Sequence, residues 1–210
     1  MSPAADLARA ALRADLLFIA DLIEPGARVL DIGCGDGALL HYLSSERGVD
    51  GRGIEISQTG VNACVSHGLS VIQGNADTDL NDYPDGAFDY VVLSRTLQAT
   101  RNPREVLAQL VRIGRKAIVT FPNFGYWRVR WNLIALGRMP TTRLLADPWY
   151  STENIHLCTI RDFMQLCDDL GLRTERQAIL NHTGHNIKFR STSRFANFFG
   201  EQALFMLSQR

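Results

Sequence analysis

Short apolar runs alternate along the chain with stretches whose apolar residues recur three and four positions apart. Arg28 to Ile32, Gly53 to Ile56, Ser70 to Gln73, Phe88 to Leu93 and Lys116 to Phe121 read as strands, because each is a compact apolar run of strand length. The intervening stretches carry helix punctuation. Ser57 can N-cap a helix bearing Val61, Cys64 and Val65 that stops at Gly68, and Asn102-Pro103 opens another bearing Val106, Leu107, Leu110 and Val111. Thr159 with Asp162 three residues on spells a capping box for a helix through Phe163, Met164, Cys167 and Leu170, ended by Gly171. Strands from Leu172 to Ile179 and from Ala203 to Ser208 close the chain. Strands alternating with helices predict an α/β architecture, a parallel sheet wrapped by helices.

The 210 residues contain no repeat and no low-complexity linker, so residues 1–210 are expected to form a single domain, with an N-terminal helix within residues 1–24. An apolar fraction of 46% and a charged fraction of 21% exclude disorder, collagen and coiled-coil arrays. Twenty-two basic residues balance 22 acidic ones, which removes the net field behind non-specific nucleic-acid or polybasic membrane binding. Neither partner is expected. Asp6, Arg9, Arg13, Asp15 and Asp21 interrupt the first apolar run, which therefore reads as neither signal peptide nor membrane span, and the expected location is the cytoplasm. Cys34, Cys64, Cys158 and Cys167 form no CxxC, so unpaired thiols and no metal are expected. His182 and His185 lack a neighbouring carboxylate or thiolate cluster, and the glycine between them reads as a turn.

Candidate chemistry begins where the first strand ends, in VLDIGCGDG (Val29 to Gly37). Gly33, Gly35 and Gly37 remove side chains where strand turns into helix, so that a ligand carboxylate or phosphate can lie against backbone at a helix N-terminus. Read as Gly33-x-Gly35-x-x-Ala38, the same stretch satisfies the dinucleotide fingerprint, with Glu55 near the distance of a ribose-binding acid. Asp31 argues for a different ligand. A negative charge two residues before the first glycine repels a pyrophosphate and attracts an ammonium group, which favours an amino-acid-bearing molecule. Asp77, after the third strand, stands where an adenine amino group could donate to it while Glu55 holds the ribose diol.

With these motifs the chain resembles the class I S-adenosylmethionine-dependent methyltransferases, VLDIGCGDG matching their first motif and GIEIS their acidic second strand. It is more closely similar to the MetW family through LRADLLFIADLIEPGARVLDIGCGDGALL, FDYVVLSRTLQAT, TFPNFGYWRVRWNL and WYSTENIHLCTIRDF. The resemblance implies a three-layer, Rossmann-like fold whose seven-strand, mostly parallel sheet ends in a C-terminal antiparallel hairpin. It implies S-adenosyl-L-methionine or S-adenosyl-L-homocysteine as ligand, at Asp31, Gly33, Cys34, Gly35, Gly37, Glu55, Ile56, Ala76, Asp77 and Ser94. It also implies a role beside a homoserine O-acyltransferase of the MetX type in methionine biosynthesis.

Methyl transfer from an activated sulfonium needs alignment and exclusion of water more than a dedicated base. After the fourth strand the chain reads Ser94, Arg95, Thr96, Leu97, Gln98, without an Asn-Pro-Pro-Tyr motif and with Gln98 where many relatives carry histidine. His156, Tyr126, Tyr150 and Asp147 are the remaining candidates for a proton acceptor, and no catalytic residue is assigned. Ser94 lacks the Gly-x-Ser-x-Gly elbow, so the chain is not expected to acylate homoserine itself. Residues 123–157 stand apart. They hold Trp127, Trp131 and Trp149, two of the five tyrosines, and Arg128, Arg130, Arg138 and Arg143, a composition that suits a lid or a protein interface. The structural alternative is a longer helix packing Trp127, Trp131 and Leu136 on the sheet edge. Two functions follow: a ligand-binding partner of the acyltransferase, or a methyltransferase for a small molecule.

Overall fold

The computed structural model describes residues 13–181, 185–187 and 194–210. Its strands are β1 (Arg28–Ile32), β2 (Asp50–Glu55), β3 (Ser70–Gln73), β4 (Phe88–Ser94), β5 (Gly114–Pro122), β6 (Leu172–Leu180) and β7 (Gln202–Gln209). The α-helices are α1 (Ala14–Leu22), α2 (Ala38–Arg47), α3 (Gln58–Ser66), α4 (Pro103–Ile113), α5 (Trp127–Leu136), α6 (Ile160–Asp169) and α7 (Arg194–Phe199). The described strands form one sheet in the order β3-β2-β1-β4-β5-β7-β6. β1 to β5 pair in parallel, and β7 inserts antiparallel between β5 and β6.

Alternation along the central strands builds the two faces. Leu30, Ile32, Val91, Leu93 and Val119 point to the side covered by α4 and α6, where Val106, Leu107, Leu110 and Phe163 meet them. Their neighbours Val29, Tyr90, Val92 and Ile118 point to the other side, against Leu16, Ile19 and Ala20 of α1 and Leu39 and Leu43 of α2. The result is a three-layer α/β/α stack. Phe163 of α6 packs its ring 4.6 Å from that of Phe121 and 4.9 Å from that of Phe205, which fastens the antiparallel end of the sheet to the helical layer. Replacing a side chain as enclosed as Leu107, which is wholly buried, by alanine would cost about 2–5 kcal/mol.

The expected helix starts hold. Ser57 accepts from the Gly60 N–H, Asn102 from the Glu105 N–H with proline following, and Thr159 and Asp162 close their capping box. β2 starts three residues earlier than its apolar run, because pairing of Asp50 with Arg28 extends the ladder through polar residues. α5 forms, but it does not pack as a sheet-edge helix through the residues named for that role. Only Val129 is buried, and Trp131 and Leu136 stand open to solvent. Of the N-terminal segment, α1 lies within the described residues. So does His185, whose backbone carbonyl accepts from Asn181, whereas His182 lies outside them. No described helix is long and apolar enough to cross a membrane.

Candidate functional site

Chain direction diverges between β1 and β4: β1 is followed outward by β2 and β3, and β4 by β5 on the opposite side. Such a switch point opens a crevice at the carboxyl ends of the strands. A cavity of about 450 Å³ lies there, and Gly33, Gly35, Glu55, Ile56, Ala76 and Asp77 all reach its wall. Residues scattered over 45 positions of sequence therefore meet at one opening.

Gly33 turns the chain at the end of β1 with φ +71°, and a Cβ there would sit 2.5 Å from Thr96 Oγ1, so glycine is required twice over. Its N–H and that of Cys34 donate to the Ile54 carbonyl, tying the turn to β2. Glu55, 8% exposed, accepts from the Gly35 N–H through Oε2 at 2.8 Å and from the Ser57 N–H through Oε1 at 2.9 Å. Gly60, one turn into α3, lets this happen. A Cβ on it would fall 2.7 Å from Glu55 Cγ and 2.8 Å from the Gly35 carbonyl oxygen.

Asp31 is buried on β1 and its Oδ1 has no hydrogen-bond partner. Burial pushes its carboxyl up to about 7; the Arg13 guanidinium opposes that rise and Glu55 adds to it. A buried acid left in this state is costly unless a cation or donor meets it. Asp77 is more occupied than its sequence position suggested. Its Oδ1 accepts from the N–H groups of Arg101 and Asn102, and its Oδ2 from that of Arg101, at 2.9–3.0 Å, which fastens the loop after β3 to the start of α4.

Four of the named residues do not reach the cavity wall: Asp31, which is buried on β1 behind the turn, Cys34, Gly37 and Ser94. Cys34 is buried beneath the turn with Sγ 3.9 Å from that of Cys64, and burial raises both thiols above their ordinary range. Gly37 caps α2 in the left-handed region against Cys64 and Leu69. The Ser94 hydroxyl meets Thr120 Oγ1 at 3.3 Å and the Arg13 guanidinium at 3.5 Å.

Other residues complete the wall without any sequence signal: Thr96, Thr100, Arg101, Glu153 and Ile155. Ile155 arrives because its N–H and that of His156 both donate to the Gln98 carbonyl, folding residues 153–156 over the opening. Ile56 and Ile155 are 65% and 56% exposed, two apolar surfaces bared on the same cavity. The candidate proton acceptors lie elsewhere. Tyr126 is in a small core with Val129 and Leu145, Tyr150 and Asp147 are exposed, and His156 Nε2 meets the Arg101 carbonyl at 3.2 Å. Gln98 is buried, donating to the Pro122 carbonyl.

A family model described as methionine biosynthesis protein MetW matches residues 13–207. The chain is 35% identical over 170 residues to a bifunctional methionine biosynthesis protein MetXA/MetW of Rhodopirellula baltica, a match covering 77% of this chain and 27% of that protein. Among solved structures it resembles a SAM-dependent methyltransferase from Archaeoglobus fulgidus, with TM-score 0.69, 18% identity and coverage of 98% of this chain and 94% of the other. It also resembles the [4+2]-cyclase SpnF, with TM-score 0.63, 16% identity and coverage of 93% and 80%. At such identities the likeness is one of fold, and the fold carries more than one chemistry. The match to nearly all of the described sequence settles the family: the chain belongs to the MetW methionine biosynthesis proteins.

Proposed function

We propose that this chain binds S-adenosyl-L-methionine, or its demethylated product S-adenosyl-L-homocysteine, and supports a homoserine O-acyltransferase of the MetX type in methionine biosynthesis in the cytoplasm. The observation that carries the ligand is Asp31, a buried carboxylate with an unmatched oxygen beside the glycine turn, which suits an ammonium group reaching it directly or through water. The turn Gly33 to Gly37, with Cys34 beneath it and Ser94 behind it, supports the amino-acid end. Glu55 keeps acceptor capacity for the ribose hydroxyls beyond its two backbone bonds. Ile56, Ala76 and Asp77 line the adenine end. When bound, the sulfonium supplies a methyl group already activated for transfer.

The partner reading is supported by the Rhodopirellula protein, a single chain named for both MetXA and MetW. The surface proposed for it is the segment 123–157. Trp131, Ile134 and Leu136 are 63%, 83% and 61% exposed, a concentration of large apolar groups that an unpartnered soluble surface seldom carries. Calorimetry with S-adenosylmethionine, followed by co-elution with the acyltransferase, tests the two halves separately. No binding at millimolar ligand overturns the first, and a folded chain that fails to co-elute overturns the second.

Methyl transfer to a small molecule is the second reading. It is favoured by a further cavity on the other side of the β4 terminus, where an acceptor could approach. Detection of methylated product in the presence of S-adenosylmethionine would establish it.

A further inference from the structure

A third cavity, of about 270 Å³, opens within the segment 123–157, and all the residues that line it fall among the described ones. Phe124 and Leu145 form its base, since both pack into the small core around Tyr126 and Val129. Backbone bonds hold that base: the Phe124 N–H donates to the Cys158 carbonyl at 3.1 Å, and the Thr142 N–H to the Leu145 carbonyl at 2.9 Å. Asp147 and Trp149 stand exposed at its edge, one on each side of Pro148, whose carbonyl accepts the N–H groups of Ser151 and Thr152. The chain's own bonds therefore shape the cavity.

Its chemistry is mainly apolar, with an acid at the edge. Met139 and Ile155 add apolar wall, and no lysine, arginine or histidine lines it. The Asp147 carboxylate accepts no hydrogen bond and forms no ion pair among the described residues, so its charge is free to meet a ligand. Trp149 is 70% exposed and meets the Tyr150 ring edge to face at 5.8 Å, which leaves most of the indole surface open. A tryptophan face attracts a cation, and more strongly where water is excluded. An anion would face the Asp147 carboxylate with no base on this wall to compensate it.

We propose that this cavity binds a small organic amine, its ammonium group between the Asp147 carboxylate and the Trp149 indole and its apolar body over Phe124, Met139 and Leu145. A volume just below the roughly 300 Å³ at which ligand pockets begin fits a body of one ring or a short aliphatic chain. Burial of that body supplies affinity. An exposed ion pair by itself contributes little, so the preference for a cation comes from the acid and the indole acting together. The assignment rests neither on the ligand of the larger cavity nor on the acyltransferase.

The test is a titration of the full-length protein with 2-phenylethylamine at pH 7, followed through the methyl resonances of Met139 and Ile155, beside the neutral isostere 2-phenylethanol and the anion 3-phenylpropionate. Saturable shifts with the amine are expected, the alcohol binding about fivefold more weakly and the anion more weakly still. Asp147→Asn should bring the amine close to the alcohol while leaving the alcohol unchanged. Trp149→Leu, which keeps apolar bulk but removes the indole face, should cost the amine more than the alcohol. Absence of saturable binding by the folded wild-type chain overturns the proposal. So does alcohol or anion binding as tightly as the amine, a comparison that needs no variant. An undiminished gap between amine and alcohol in both variants, where circular dichroism shows them folded, removes Asp147 and Trp149 from the site and overturns it as well.

Discussion

Glu55 Oε2 accepts the N–H of Gly35 at 2.8 Å, so the acid at the end of β2 fixes the shape of the turn at the end of β1. Through Oε1 the same carboxylate accepts from Ser57, the N-cap of α3. One side chain thus couples three segments around the cavity, and its contribution to ligand binding has two routes: direct acceptance of hydroxyls and preorganisation of the glycine turn.

Replacement of Glu55 by alanine removes both routes. A charge-assisted hydrogen bond contributes about 1.5–3 kcal/mol, so the affinity for S-adenosylmethionine is expected to fall roughly tenfold to a hundredfold. Glu55→Gln keeps an acceptor oxygen for one backbone bond and should lose less. Isothermal calorimetry on the three proteins checks the order, and equal affinities would remove Glu55 from the site.

Asp31 gives a pH signature. Its carboxyl is raised to about 7 in the folded chain from an ordinary 3.8, so its favourable contribution is complete below the ordinary value and lost as pH rises through about 7. An ammonium-bearing ligand favours the ionised form and must displace the proton. Affinity is therefore expected to rise with pH between about 5.5 and 7, by at most about tenfold per unit, and then level off. Asp31→Asn should flatten this dependence and weaken binding, while relieving the ligand-free protein of its stability loss above pH 7. A wild-type affinity independent of pH over that interval would place the ammonium elsewhere.

The polar frame around Asp15 predicts the opposite sign. Burial alone would raise this carboxyl, but Arg95 and Arg13, with a hydrogen bond from Gln202, hold it below its ordinary value. Its stabilisation is present above the ordinary carboxylate range and is lost as pH falls through the lowered value. Asp15→Ala leaves two guanidinium groups without their shared partner, and a loss of about 2–4 kcal/mol is expected at pH 7, part of the way from exposed to fully buried pairs. Urea denaturation at pH 7 and pH 3 should show the gap between wild type and variant shrinking at the lower pH.

Much of this site was legible because strand ends are punctuated in sequence. The glycines after β1, the acid closing β2 and the acid after β3 each follow an apolar run, and a parallel sheet brings such ends together. What escaped was set by the tertiary fold. Gly60 looks like an ordinary helix residue until α3 packs its first turn on Glu55, and Arg95 looks like any arginine until its backbone turns left-handed. Asp77 was legible as an acid at the rim, but its bonds to Arg101 and Asn102 depend on where α4 begins. α7 is only six residues long, too short for a helical repeat to stand out.

Trp131 and Ile134 offer a surface test that leaves the core untouched, since they are 63% and 83% exposed on α5. Trp131→Ala with Ile134→Ser is expected to weaken association with the acyltransferase by more than about 1 kcal/mol, since tryptophan in a desolvated interface is a common anchor. The melting temperature should stay within a few degrees of wild type, whereas Val129→Ala, on the buried face, should lower it. Normal co-elution of the double variant would move the interface off α5.

Occupancy of the larger cavity should also be felt by the partner. Ile155 and His156 hang from the Gln98 carbonyl, and the segment they belong to runs from the cavity wall to the exposed aromatic stretch around Trp149 and Tyr150. A ligand that orders residues 153–156 therefore acts on the same stretch of chain that the acyltransferase is proposed to cover. Linkage requires S-adenosylmethionine to bind the associated and free forms with different affinity, and a coupling of about 1–3 kcal/mol corresponds to a shift of some fivefold to over a hundredfold. The acyltransferase activity of the reconstituted complex is expected to change across a titration of S-adenosylmethionine, and the change should be lost with Glu55→Ala. A flat response from a complex that demonstrably binds the ligand would separate the two roles. Methylated product appearing in the same titration would assign the cavity to catalysis.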